Sequence, residues 1–227
     1  MSERIEAERI LCCSDIHGHA EALRQVLFSA NWRPGKDQLI LLGDYIDRGP
    51  RPREVVSELK ILLRCPNVVA LCGNHELMLW EYLQGEVSHE NYMSNGGGAT
   101  LRDYPSDEDA LRADAEFLRQ LPRYHETEDY IFVHAGLKPG VSLQDQDERD
   151  LLWIREKFIE NYRGKTVVFG HSPTIFVNGT REVFWGCDKI GVDTGAAYGG
   201  LLTMLELPSG ETYSVAPDTS SEQVGQS

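Results

Sequence analysis

The 227-residue chain is poor in cysteine and in basic charge, and it has no long apolar run. Its five cysteines, Cys12, Cys13, Cys65, Cys72 and Cys187, form no CxxC pair and no metal-finger spacing, which argues against a thiolate metal site or a CxxC redox centre. Cys12, Cys13 and Cys72 fall inside apolar runs, where cysteine behaves as a small hydrophobe. The odd count fits a reducing compartment. No stretch reaches the about 18 apolar residues of a membrane span, and MSERIEAERI lacks the apolar core of an export signal. A cytoplasmic protein is expected. Lys and Arg total 22 against 36 Asp and Glu, a net charge of −14; both nucleic acid and anionic membrane need a cationic surface and are not expected as partners. There is no internal repeat and no linker long enough to divide the chain. One domain is expected over residues 1–208, followed by a polar tail rich in Ser, Glu and Gln over 209–227 that reads as disordered.

Short apolar runs at 10–13, 38–42, 67–72, 130–133 and 166–169 read as strands buried on both faces. Two later runs, 189–192 and 201–207, flank the glycine-rich TGAAYGG and read as a hairpin closing the sheet. Helical spacing follows the first two strands: Leu23, Val26 and Leu27, then Val55, Leu59 and Leu62 after Pro50 and Pro52. A third helix opens at Ser106, carries Leu111, Ala115 and Leu118 on one face, and ends before Pro122. The order predicts an α/β fold of stacked layers. In such sheets ligands bind beyond the carboxyl ends of the strands.

Five motifs stand at those ends: SDIHGH (14–19), GDYIDRGP (43–50), GNHE (73–76), VHAG (133–136) and GHS (170–172). Asp15 and His17 form a D-x-H pair whose side chains leave an extended segment on one side and can share a metal. Asp44 directly follows QLILLG, where a carboxylate can offer one oxygen to each of two metals about 3.5–4 Å apart. Asn74 is a neutral oxygen ligand for the second metal, joined by His134 and His171, while His75 is assigned to acid chemistry. Taken singly, each has a plain structural reading: a surface Asp–His pair, a helix-capping Asp44, a hydrogen-bonded histidine at a strand end. Together they make a carboxylate, amide and imidazole set without thiolate. That set suits two divalent ions, Mn²⁺ favoured, with Fe or Zn²⁺ as alternatives.

DIHGH, GDYIDRG, GNHE, VHAG and GHS, in this order, resemble the calcineurin-like metallophosphoesterases, and within them the phosphoprotein phosphatase branch that includes bacterial and phage serine/threonine protein phosphatases. The resemblance runs from about residue 9 to 207. It implies an α-β-β-α sandwich with a dimetal site at the strand C-terminal rim. One metal would be held by Asp15, His17 and Asp44, the other by Asp44, Asn74, His134 and His171. It implies a metal-bridging hydroxide attacking phosphorus in line, with His75, oriented by Asp47, protonating the leaving oxygen. Arg48 would grip the phosphate. Arg155, in DLLWIREKF, would be a second clamp; if the segment is helical, Leu151, Leu152, Phe158 and Ile159 surround it with an apolar patch. Tyr198, in DTGAAYGG, would overhang the substrate, and Asn95, in a cleft-lining loop over 91–104, would touch it. His19, His89 and His125 have no role in the pattern.

The resemblance implies a metal-dependent phosphomonoesterase, with phosphoserine, phosphothreonine and also phosphotyrosine in proteins, or small phosphoesters, as expected substrates. The rival within the same metal core is a diadenosine tetraphosphate hydrolase-like enzyme, which cuts phosphoanhydrides. An inactive scaffold of the same fold should have lost ligands or the acid, and here every expected position is filled. The sequence carries no signal for an oligomeric state.

Overall fold

Why the first strands are apolar throughout is clear from the computed structural model, which describes residues 9–218. Strand β1 (Ile10–Cys13), helix α1 (Ala20–Ser29), strand β2 (Gln38–Leu41), helix α2 (Pro52–Leu62) and strand β3 (Val68–Ala70) form two consecutive parallel β-α-β units. Helices α3 (Asn74–Gln84), α4 (His89–Ser94), α5 (Gly98–Asp103) and α6 (Glu108–Arg119) follow. The second half holds β4 (Tyr124–Glu126), β5 (Tyr130–Val133), α7 (Glu148–Trp153), α8 (Glu156–Asn161), β6 (Thr166–Phe169), α9 (Thr174–Val177), β7 (Phe184–Gly186), β8 (Lys189–Gly191), β9 (Leu202–Leu207) and β10 (Thr212–Val215). They make two five-stranded sheets, ordered β10-β9-β1-β2-β3 and β4-β5-β6-β8-β7.

Alternate residues of one strand go to different cores. Leu11 and Cys13 of β1, and Leu39 and Leu41 of β2, pack with Leu23, Val26, Val55, Leu59 and Leu118 of the helices. Cys12 and Ile40 turn the other way and meet Phe132, Val168 and Ile190 of the facing sheet. Ile131, Val133, Val167 and Phe169 then look outward onto Leu151 and Phe158 of α7 and α8. The result is helices, sheet, sheet, helices, the α-β-β-α layering expected. Each fully buried Leu, Ile, Val or Phe side chain contributes about 1.5–3 kcal/mol. Burial pushes the Cys13 thiol up to about 12 and the Cys12 thiol well above its ordinary value, so both are inert packing groups.

Several expectations are corrected. The runs at 189–192 and 201–207 do not form a hairpin: β8 lies in the second sheet between β6 and β7, and β9 lies in the first beside β1, so TGAAYGG carries the chain across the sandwich. The hairpins among the described residues are β4–β5, β7–β8 and β9–β10. Residues 209–218 are not a disordered tail. Thr212–Val215 pairs antiparallel with β9, and its alternation sends Tyr213 and Val215 onto the helical core, a pattern that polar composition hides. Farther on, the Asp218 carboxylate accepts from the Glu21 and Ala22 amides at the start of α1, and its own N–H donates to His19 Nδ1. The rest of the expected tail, 219–227, lies outside the described residues. Helix α6 starts later than Ser106, which sits at positive φ; Asp107 caps it by accepting from the Ala110 amide. The stretch 91–104 is mostly helical, in α4 and α5, with Asn95-Gly96-Gly97 as the turn between them.

Candidate active site

All five motifs leave the carboxyl ends of strands on one rim, following β1, β2, β3, β5 and β6. Backbone hydrogen bonds knit the loops together: Asp15 N–H donates to Gly43 O, His17 N–H to Asp44 O, and Gly170 N–H to His134 O. Asp15, His17, Asp44, Asp47, Arg48 and His171 all hold positive φ, between 44° and 66°. Such conformations cost free energy and persist where surrounding structure over-determines them. The glycines permit the close approach. A Cβ on Gly73 would strike the Asp44 carboxylate, and one on Gly170 would strike Ser14 Oγ and Asp15. Glu76, fully buried, ties two loops into one piece: its carboxylate accepts from the amides of Gly73, Asp44 and Tyr45, each at 2.8 Å. Burial first, then the Asp44 charge, pushes Glu76 up to about 8.

Asp44 stands at the centre, its two oxygens facing two different groups of donors. On the Oδ1 side lies His134 Nε2 at 3.4 Å. His134 Nδ1–H donates to Leu42 O, so Nε2 carries the lone pair. That atom faces Asn74 Oδ1 at 2.9 Å and His171 Nδ1 at 3.2 Å. These atoms and Asp44 Oδ1 converge on one small volume. His171 Nε2 is buried with no hydrogen-bond partner. On the Oδ2 side lie His17 Nε2 at 3.6 Å and His75 Nε2 at 3.9 Å. His17 Nδ1–H donates to Ile46 O, which again leaves Nε2 as the acceptor.

The donor chemistry fits two cations. Asp44–His134–His171 and His17–Asp44–His75 each bring their ligand atoms within 4.8 Å of one another, in fully buried surroundings. Burial, followed by neighbouring cationic and imidazole groups, holds His17, His75 and His171 well below the ordinary imidazole value, so these rings are neutral at neutral pH. Burial and the Asp15 charge push Asp44 and Asp193 well above the usual carboxylate range. Buried carboxylates crowded against each other call for positive charge between them.

Asp15 is placed somewhat differently from its expected role. It lies in the buried cluster, but Oδ1 accepts from Ser14 Oγ and from the His171 amide at 2.9 Å, so it braces the second group as well as facing the first. His75 Nδ1 lies 2.7 Å from Asp47 Oδ2. The other Asp47 oxygen accepts from Tyr92 OH at 2.8 Å and Thr100 Oγ1 at 2.5 Å. Burial pushes Asp47 up to about 6, against those hydrogen bonds and the Arg48 charge.

Arg48 reaches in beside these histidines. Its amide donates to Gly96 O at 3.1 Å, its Nη1 donates to His17 Nε2 at 2.7 Å, and its guanidinium lies 5.1 Å from the Tyr198 ring. Tyr198 is 44% exposed, so it overhangs the rim without being packed into the core. Arg155 departs from expectation. The helix breaks between α7 and α8, and Arg155 precedes α8 as an exposed side chain at the edge of a cavity lined by Ile159, Phe176 and Val177. It still reaches the rim, with Nη1 donating to His171 O at 2.6 Å and to Ser172 Oγ at 3.1 Å. Asn95 does not face the site through its amide nitrogen, which donates back to Asn91 at the end of α4; its neighbour Gly96 is what touches Arg48.

Sequence reading missed Ser14, Glu76, Tyr92, Thr100 and Asp193. Ser14 and Glu76 lie inside two of the motifs and Asp193 follows the last-but-two strand, so their type and place were signals. Tyr92 and Thr100 come from α4 and α5, and only folding of those helices over the GDYIDRG loop reveals them.

A family model described as Calcineurin-like phosphoesterase matches residues 8–196. Serine/threonine-protein phosphatase 1 of Salmonella typhimurium is 31% identical over 223 residues, covering 90% of this chain and 96% of that protein. An asymmetrical bis(5'-nucleosyl)-tetraphosphatase, PrpE of Anoxybacillus flavithermus, is 26% identical over 208 residues, covering 80% of each. Among solved structures, one put forward as a diadenosine tetraphosphatase superposes with a TM-score of 0.73 at 24% identity, covering 93% of this chain and 94% of that one.

Proposed function

The chain belongs to the calcineurin-like phosphoesterase family, and on that premise we propose that it is a dimetal phosphomonoesterase acting on phosphoserine and phosphothreonine, and also phosphotyrosine, in proteins. One observation carries the reading: Asp44 directs its two oxygens at two separate groups of buried acceptor atoms. His17, Asp44 and Asp15 are assigned to one cation and Asp44, Asn74, His134 and His171 to the other, with Mn²⁺ preferred over Fe or Zn²⁺ for this hard and borderline donor set. When bound, such a pair of cations would acidify a water molecule and neutralise charge on the phosphoryl group.

The chain's own residues then have distinct tasks. His75 holds a proton at Nδ1 for Asp47, so a second proton at Nε2 is the one it can give to the leaving oxygen. Burial keeps that imidazole neutral beforehand; the dianionic phosphoryl group arriving beside it, with Asp47 behind it, favours the protonated form. Tyr92 and Thr100 fix the Asp47 carboxylate so that it accepts from His75 in one geometry only. Arg48 and Arg155 approach the rim from opposite loops and are placed to hold phosphoryl oxygens, with Tyr198 beside Arg48.

The substrate assignment draws support from the near full-length match to the Salmonella phosphatase. The tetraphosphatase relatives support a second reading, hydrolysis of a dinucleotide polyphosphate. Phosphopeptide and diadenosine tetraphosphate, assayed side by side with Mn²⁺ after chelation, separate the two: faster kcat/KM on phosphopeptide is expected, and faster cleavage of the dinucleotide would replace the assignment. No helix among the described residues is long and apolar enough to cross a membrane; a cytoplasmic location is part of the proposal, supported by free cysteines.

A further inference from the structure

We infer that a groove beside Arg155 selects a basic residue within about three positions of the phosphorylated one, an assignment that rests on the protein-phosphatase reading. The groove is a cavity of about 350 Å³. Its inner end is Arg155 and Ser172, the pair already joined to the His171 carbonyl at the rim. Its floor is apolar, formed by Ile159 of α8 with Phe176 and Val177 of α9. Phe176 is 74% exposed, and its ring meets Tyr198 edge-on at 5.9 Å. Tyr198 in turn lies against Arg48. The groove is therefore continuous with the candidate active site along Arg155, Phe176 and Tyr198.

Its outer wall is acidic. Glu156 and Glu160 stand four residues apart on α8, on one face of the helix. Neither carboxylate has a side-chain partner among the described residues. Other surface acids, by contrast, are engaged by cations: Glu54 and Glu58 by Arg24, Asp107 by Arg53, Asp114 by Lys60. Two like charges side by side at the edge of an apolar floor are complementary to a side chain with a long methylene stem and a cationic head. A lysine or arginine would lay its stem on Ile159 and Val177, pass its head over Phe176, and bring it between Glu156 and Glu160. A dinucleotide polyphosphate has the wrong charge for that wall. An extended peptide advances about 3.3–3.6 Å per residue. A groove that begins at Arg155 thus serves a residue within about three positions of the phosphoresidue.

The test compares phosphothreonine peptides carrying Arg or norleucine at each position within three of the phosphoresidue, with p-nitrophenyl phosphate as a substrate too small to enter the groove. At one position or two neighbouring ones, Arg should raise kcat/KM about 3–10-fold over norleucine, the range for a pair of partly exposed ion pairs. In a Glu156→Gln/Glu160→Gln double variant that ratio should fall below about 2, with p-nitrophenyl phosphate turnover unchanged. Equal rates for Arg and norleucine peptides in the unmodified protein, or a preference that survives in the double variant, would overturn the groove assignment while leaving the phosphatase reading intact. Hydrolysis of p-nitrophenyl phosphate with no turnover of any phosphopeptide would instead remove the protein substrate, and the groove's role with it.

Discussion

Replacing Asp47 by asparagine should slow the enzyme and stabilise the metal-free protein at once, because the two effects have different origins. Asp47 is fully buried, and burial raises its carboxyl from 3.8 to about 6. A carboxyl raised in the folded state binds its proton more tightly there than in the unfolded chain. Between about pH 4 and pH 6 the folded state therefore holds more protons, and stability falls as pH rises through that window. A shift of about 2 units corresponds to about 3 kcal/mol of destabilisation, fully present above pH 7. Asparagine has the same shape and no charge to desolvate, so the chelated Asp47→Asn protein should gain up to about 3 kcal/mol at pH 8 and almost nothing at pH 4. Its turnover should suffer for a geometric reason. Tyr92 OH and Thr100 Oγ1 are both positioned to donate to Oδ1, so the amide oxygen takes that side. The NH₂ group then meets His75 Nδ1, which must become an acceptor, and the stabilising charge behind the imidazolium is lost. A decrease in kcat of about 10²–10⁴ follows, the range for acid–base catalysis. Urea unfolding of the chelated proteins at pH 4 and pH 8, with steady-state kinetics in Mn²⁺, reads both effects. Unchanged kcat would remove Asp47 from the proton-donating pair, and equal stabilities at pH 8 would refute the desolvation argument.

Gly73→Ala puts a methyl group against the Asp44 carboxylate and Glu76; Mn²⁺ affinity measured by calorimetry should fall about 10–100-fold, as for other changes that turn a ligand. Arg48→Lys keeps the charge but loses the planar fork, so KM for a phosphopeptide should rise about tenfold with a smaller change in kcat. Arg9 and Arg33 hold the buried Asp37 carboxylate down to about 2, below its ordinary 3.8. A depressed carboxyl stabilises the fold above its unfolded value and loses that contribution as pH falls through the folded one. Acid unfolding followed by circular dichroism should therefore cost the native protein about 1–2 kcal/mol more than Asp37→Asn between pH 4 and pH 2, discounted for the exposed Arg33 partner.

What could be read in advance was local, and what could not was set by distant packing. The five motifs were legible because each couples an apolar run to a ligand residue within a few positions, and strand ends of an α/β sandwich share a rim. Asp44, Asn74, His75, His134 and His171 are of this kind. The hairpin expectation at 189–207 failed because two apolar runs joined by glycines look alike whether they pair with each other or cross between sheets; only the partners, β6 and β1, decide. The tail expectation failed because the four apolar-polar alternating residues Thr212–Val215 are lost in a segment that is polar overall, yet their two inward residues, Tyr213 and Val215, suffice for an edge strand. The apolar surroundings of Arg155 were conditional on a continuous helix, and the condition fails at Ile154, where the backbone leaves the helix although the helical spacing of apolar residues continues across it. Tyr92 and Thr100 carry no local signature, since their roles arise from α4 and α5 closing over the Asp47 loop.

The account's central claim is that Asp44 joins two cations, one on each carboxylate oxygen. Anomalous diffraction from crystals soaked in Mn²⁺ tests it directly. Two peaks are expected, one within coordination distance of Asp44 Oδ1, Asn74, His134 Nε2 and His171 Nδ1, the other near Asp44 Oδ2 and His17 Nε2. A single peak, or peaks that leave Asp44 uncoordinated, would contradict it.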